Sequence, residues 1–348
     1  MKSERPIYFS FFMFDENARL HDAGARASMI RHMKALFEMG YSGFELHIGR
    51  SAEAALTWPS YSEEVDAYAA FRRALDEAGL KAVQLATNVG ATPAFDPSSR
   101  DPDVRAAGLA FLESRVDITA ALGGSILMGP VVVPYGAFVH AAANGEGVWS
   151  DALQDELGAR YANAAPVLDQ LGRHAERKGV KIAIEPITHW ETPGPNKLQQ
   201  LIDFLARVPS TAIGAVIDSA HETLDGDGPE AFAGQVAWLA DAARLHYVQA
   251  SPPDRGGLAS SWLPWGALFG PLLARYHGPV AIEIFNALPD FAAGLRLSRR
   301  KYWIPGLDPE QPRPSAYDVA RSSLAKLRTE FARLGQVERP ALHPPLPL

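Results

Sequence analysis

The stretch IAIEPITHWE, residues 182–191, decides the fold. Ile-Ala-Ile lacks polar alternation, so it reads as a strand covered on both faces, which is the habit of a parallel sheet. The run ends on a carboxylate, Glu185, followed by a proline and a group of polar and aromatic side chains. Charge at the carboxyl end of a buried parallel strand is where such sheets place their chemistry. Working outward, comparable apolar runs recur, and strands are expected over 7–12, 43–47, 81–85, 124–128, 181–185, 213–218, 245–250 and 280–284. Longer amphipathic segments separate them, giving the βα alternation of a parallel sheet. The junctions agree. Glycine follows a helical pattern just before a strand in FEMGY, DEAGL, ALGG and ERKGV, where a left-handed cap is wanted. Ser60 with Glu63 makes a capping box, and Asp101 precedes a proline at the first helical position. Eight units without a glycine-rich phosphate fingerprint after the first strand predict an α/β fold, a (β/α)8 TIM barrel with long βα loops at its C-terminal face. The barrel is expected over residues 1–335, with a proline-rich tail over 336–348.

Composition narrows the function. The 348 residues are 47% hydrophobic and 21% charged, ordinary for a globular chain, and the net charge of -7 disfavours a polyanion partner such as nucleic acid. With no cysteine, disulfides, thiolate nucleophiles and Cys-built metal sites are excluded, so any metal must rest on oxygen and imidazole. The opening MKSERPIYFSFF has too short an apolar run for a secretory signal, and no stretch approaches the roughly 20 apolar residues of a membrane span. A cytoplasmic protein is expected.

Residues at the carboxyl ends of barrel strands face one another across the mouth and must be read together. Glu185 ends the fifth strand, Asp218 the sixth, and Glu283 lies in VAIEIF on the eighth. Three carboxylates in one space either rise in pKa or share a cation, and a site that must stay ionised favours the cation. The contrasting possibility is that each pairs separately with an arginine. Two long loops, after the fourth and seventh strands, and a third excursion after the eighth surround this mouth. Trp149, Trp190, Trp262, Trp265 and Trp303 lie in or beside them, where they could stack on a sugar or aryl group or simply pin the loops.

IAIEPITHWE, AVIDSAH, YVQASPPDRG and VAIEIF resemble, in order, the metal-binding strand ends of the sugar phosphate isomerase/epimerase superfamily, the xylose-isomerase-like barrels that include ketose 3-epimerases. The resemblance implies one divalent ion, Mn2+ with Mg2+ or Co2+ as alternatives, held by Glu185, Asp218 and Glu283, with the two glutamates exchanging a proton with a sugar carbon. It also implies substrate contacts from Glu191, His221 and Arg255, and Trp190 joins them as an aromatic face. On the seventh strand the chain departs from the family's metal histidine. An ungapped alignment through Arg255 puts Gln249 there, with His246 as rival. Alternation favours Gln249, because His246 points the other way and sits about 10 Å further from the strand end. An amide oxygen suits a hard ion.

Within the superfamily the Gln249 substitution, the HWETPGPN run, Pro252-Pro253 and SRRKYW resemble the larger, catalytic subunit of bacterial C-glycoside deglycosidases. That likeness implies cleavage of the carbon-carbon bond of 3-oxo aryl C-glycosides, with His140 or His189 as an added acid or base. It also implies a small, mostly β-structured partner subunit, a homo-oligomer being the alternative. Epimerisation or isomerisation of a ketose is the competing activity. A metal-dependent endonuclease for abasic DNA shares the barrel but wants a histidine-rich zinc cluster and a basic groove, and a non-catalytic binding protein differs only in metal content and turnover.

Overall fold

Alternation along each strand sends one set of side chains into the barrel and the other outward against helices. The computed structural model describes residues 5–14, 19–138, 150–286 and 301–336. Eight parallel strands close in sequence order: β1 Ile7–Ser10, β2 Gly43–His47, β3 Gln84–Asn88, β4 Ile126–Gly129, β5 Lys181–Ile184, β6 Ile213–Asp218, β7 Leu245–Ala250 and β8 Val280–Ile282. Helices separate successive strands, and Ala316–Gln336 follows the last. The (β/α)8 barrel expected from the sequence is therefore the fold. Among the described residues no helix is long and apolar enough to cross a membrane.

The helix signals act as read. Ser60 and Glu63 form a reciprocal capping box on Tyr61–Glu77, and Asp101 caps Pro102–Ala121. Gly179 ends the long helix Asp151–Lys178 at φ 69°, a left-handed conformation in which a side chain would be strained. Two helices are also tied through the core. Arg115, fully buried on Pro102–Ala121, donates to both oxygens of Glu64 on Tyr61–Glu77 at 2.8 and 2.6 Å, and to the Ile48 carbonyl at 2.8 Å.

Five strands differ in their bounds from expectation, two of them, β5 and β8, only by ending earlier, at Ile184 and Ile282. β1 stops at Ser10 because Phe11–Met13 turns into a buried 3-10 helix. β4 starts at Ile126 rather than at 124. β3 is displaced by three residues, from 81–85 to Gln84–Asn88. Here the Arg72 guanidinium donates to the carbonyls of Leu80, Lys81 and Val83 and holds that stretch as a turn, so pairing with β2 begins at Gln84.

The barrel interior is layered. Tyr8, Ala86, Ile126, Met128, Ala183, Val216, Tyr247 and Ala281 form a compact apolar cluster separate from the larger core under the helices. Two residues further along six of these strands stand Ser10, Asn88, Glu185, Asp218, Gln249 and Glu283, and Glu45 on β2 lies opposite Ser10 and Ala86. The period of two thus sets a polar layer on an apolar floor at the carboxyl ends.

Candidate active site

The polar layer is the candidate site. Glu45, Glu185, Asp218 and Glu283 are all buried in it, and Arg255 from the loop after β7 reaches among them. Arg255 donates through one nitrogen to Asp218 Oδ2 at 2.7 Å, Glu283 Oε2 at 2.8 Å and Ser251 Oγ at 2.9 Å. Its backbone sits at φ 53°, a strained left-handed conformation for a residue other than glycine, and its guanidinium lies over the Phe285 ring. The separate pairing of each carboxylate with its own arginine does not occur here, since a single guanidinium serves two. Burial lowers the arginine's hold on its proton, but Asp218 and then Glu283 outweigh this and raise it.

Asp218 does two things at once. Its Oδ1 caps Ser219–Asp225 by accepting from the Ala220 amide at 2.7 Å, which leaves Oδ2 for the cluster. The same short helix carries His221 inward. Its Nε2 lies 3.3 Å from Glu185 Oε1, 3.5 Å from Asp218 Oδ2 and 2.9 Å from Arg255 Nη2. One ring nitrogen cannot accept from a guanidinium and donate to a carboxylate together, and Nδ1 has no partner among the described residues.

Burial dominates the carboxyl groups. It raises Glu185, with Asp218 adding to the rise and His221 opposing it. Glu283 goes well above the carboxylate range through burial, partly offset by Arg255. Burial and then Glu185 push Glu45 up to about 8. Gln249, fully buried on β7, spends its Nε2 on Glu283 Oε1 at 3.0 Å and on both Glu45 oxygens at 3.2 and 3.1 Å. Its Oε1 has no partner among the described residues, and a buried acceptor left so costs about 1–3 kcal/mol.

A divalent cation fits this layer. Four carboxylates face one permanent positive charge, and an orphaned amide oxygen is buried beside them. Ligand atoms of Glu185, Asp218 and His221 lie within 4.8 Å of one another. The donors are oxygen and imidazole, as hard or borderline divalent ions prefer.

Other expected residues fall elsewhere. His246 is on the outer face of β7, where Nε2 meets the Thr211 carbonyl at 3.0 Å and the ring packs on Gly214. It thus faces away from the layer that Gln249 enters, and burial holds it down to about 4. His189 stands exposed at the rim with Nδ1 2.7 Å from Asp225 Oδ1, its ring edge-on to Trp190 at 4.9 Å. Glu191 accepts from the Thr188 hydroxyl. Trp262 is exposed, whereas Trp265 stacks on Phe269 and Trp303 donates to the Arg313 carbonyl, so those two pin structure. His140 and Trp149 lie outside the described residues.

Besides Ser10, three residues of the candidate site were not singled out from the sequence. Glu45 repeats the signature of Glu185, a carboxylate inside an apolar strand, in GFELH. Asn88 lay beyond the expected end of the third strand. Tyr135 follows β4, and Gly90 makes room for its ring, since a Cβ there would lie 2.6 Å from it. Tyr135 is half-exposed at the mouth, and Glu191, Glu185 and Glu283 act on its phenol, so it shares their electrostatic space.

Known proteins carry the same architecture. The chain is 27% identical over 201 residues to an L-ribulose 3-epimerase of Methylomonas sp., a match covering 58% of this chain and 64% of that protein, just under two thirds of it. It is 25% identical over 262 residues to a ketose 3-epimerase of Arthrobacter globiformis, covering 74% and 82% respectively. A crystal structure from Anabaena variabilis, described provisionally as a sugar phosphate isomerase/epimerase, superposes with TM-score 0.90 at 52% identity over 96% of this chain and all of that one. Residues 33–301 match the family described as xylose isomerase-like TIM barrel, and with the closed barrel and its acidic mouth already in view, the chain belongs to that family.

Proposed function

We propose that the chain is a divalent-metal-dependent enzyme that moves a proton on a keto sugar, with 3-epimerisation of a ketose as its reaction. The observation that supports this most is the pair Glu185 and Glu283, two buried carboxyls from separate strands, both raised above their usual range within one polar layer. Glu185, Asp218, Gln249 and Glu283 would hold the ion, Mn2+ by its preference for oxygen donors, with Mg2+ or Co2+ as alternatives. When bound, it supplies the polarisation that acidifies the C–H beside a sugar carbonyl. One glutamate then takes that proton and the other returns one to the opposite face, so the carbon inverts. Arg255 and His221 orient sugar oxygens, Glu191 with Trp190 and Tyr135 bounds the mouth, and the apolar floor beneath keeps water from entering below. The names of the epimerase relatives support this reading over carbon-carbon cleavage.

Cleavage of 3-oxo aryl C-glycosides is the second reading, and the His189–Asp225 pair favours it. An imidazole fixed at 2.7 Å by a carboxylate beside the exposed Trp190 is placed to accept a phenolic proton from a stacked aryl ring. On that reading a small β-structured subunit covers the exposed Trp262 face. Incubation with Mn2+ in D2O, offering ketopentoses and ketohexoses in parallel with 3-oxo C-glucosides, separates the two. Inversion with deuterium entering at C3 supports epimerisation. Aryl release without inversion of ketoses overturns it.

A further inference from the structure

The terminal amide of Gln249 has two orientations related by half a turn, and its neighbours choose between them. Glu45 Oε2, Glu45 Oε1 and Glu283 Oε1 lie 3.1, 3.2 and 3.0 Å from Nε2. Turned over, the amide would set its carbonyl against the same three carboxyl oxygens. Ionised carboxylates only accept; a proton on Glu45 or on Glu283 would each relieve one of the three contacts, but a Glu283 that holds a cation is ionised and its contact stands. The NH2 therefore faces Glu45 and Glu283, and Oε1 is left buried without a partner among the described residues. Glu283 is itself a carboxylate proposed to hold the ion, whereas both oxygens of Glu45 are spent on the amide, with Asn88 Nδ2 behind at 3.4 Å.

We propose that Glu45 is a positioning residue: by holding the amide nitrogen of Gln249, it leaves the carbonyl oxygen as the atom offered to a divalent cation among Glu185, Asp218 and Glu283. A histidine at this place would present a ring nitrogen, which one being set by what the other nitrogen bonds; an amide presents oxygen only if something claims its nitrogen. Glu45 is thus the residue that makes glutamine a usable ligand on β7. The inference rests on the metal-dependent reading above.

The test is a double-mutant cycle read as Mn2+ dissociation constants by titration calorimetry on the intact chain, with near-ultraviolet circular dichroism confirming each fold. Glu45→Ala is expected to weaken Mn2+ binding about 10- to 100-fold, the range for groups that orient a ligand. Gln249→Ala should cost at least as much. The double replacement should bind within about threefold of Gln249→Ala alone, because Glu45 has nothing left to hold. Losses that multiply would show Glu45 acting on the ion directly and overturn the proposal, as would wild-type affinity in Glu45→Ala. If Glu45→Ala does not fold, Glu45→Gln keeps the volume but can face either amide orientation; a weakened Mn2+ affinity supports the proposal and an unchanged one overturns it. A folded wild-type chain that binds no Mn2+, Mg2+ or Co2+ removes the metal-dependent reading itself and this proposal with it.

Discussion

Arg255 places a permanent charge between Asp218 and Glu283, so Arg255→Met asks whether it is the cluster's counter-charge. Methionine preserves the reach of the stem and meets the same backbone cost at φ 53°, a cost that glycine would relieve and so confound the result. Removing one partner of a buried ion pair costs about 3–5 kcal/mol. Unfolding entropy of about 2.1 cal/mol/K per residue gives about 0.7 kcal/mol/K for 348 residues, so the metal-free variant should melt about 4–7 °C below the wild type. The lower end is favoured, because Glu283 already stands above the carboxylate range and can take a proton instead of remaining an unpaired anion. Mn2+ supplies positive charge to the same carboxylates, so it should raise the melting temperature of the variant more than that of the wild type. Differential scanning calorimetry of chelator-treated and Mn2+-loaded samples measures both quantities. A metal-free variant melting within about 1 °C of the wild type, or an equal Mn2+ shift in both proteins, would refute the reasoning.

Gln249→Ala should weaken Mn2+ binding clearly, while His246→Ala should leave it unchanged and act on stability alone; calorimetric titration of both variants checks the ranking. Arg115→Leu leaves buried Glu64 with Arg50, 3.4 Å away, as its remaining ion-pair partner and should cost toward the lower end of about 3–5 kcal/mol in urea denaturation, whereas the double replacement with Glu64→Leu should recover part of it. Burial holds His32 and His246 down to about 4 in the folded chain. The unfolded chain therefore takes up protons first as pH falls from about 6.5. The stability these two contribute is complete above that pH and is lost toward about 4, at up to about 3 kcal/mol each. Comparing the wild type with His246→Gln by denaturation at neutral pH and near pH 4.5 checks this, since the carboxyl contributions cancel in the difference; equal pH dependence would count against it.

Strand runs were legible because burial on both faces leaves them predominantly apolar, and 43–47, 213–218 and 245–250 correspond to β2, β6 and β7 residue for residue. The third run was not, since its bounds are set by the Arg72 side chain reaching three carbonyls, a tertiary effect no local pattern records. That displacement hid Asn88. Alternation was enough to predict that Gln249 and His246 face opposite ways, because the period of two is a property of the backbone. Glu45 was overlooked for a different reason: a carboxylate within a strand gains meaning only from what stands opposite, and its partner Gln249 is 204 residues away. The partner of His189, Asp225, was likewise invisible until the helix after β6 brought it to the rim.

The layering inside the barrel separates what holds the protein up from what it does. Tyr8, Ala183, Val216, Tyr247 and Ala281 fill the cross-section one step beneath the reactive groups. A change of identity at Ser10, Glu45, Asn88 or Gln249 alters the chemistry offered to a ligand without opening a void in that filling. Each position can therefore be varied on an unchanged foundation, while the spacing between strand ends, fixed by barrel closure, keeps every new side chain within reach of the others. Such a scaffold can acquire a different reaction through single substitutions in its upper ring.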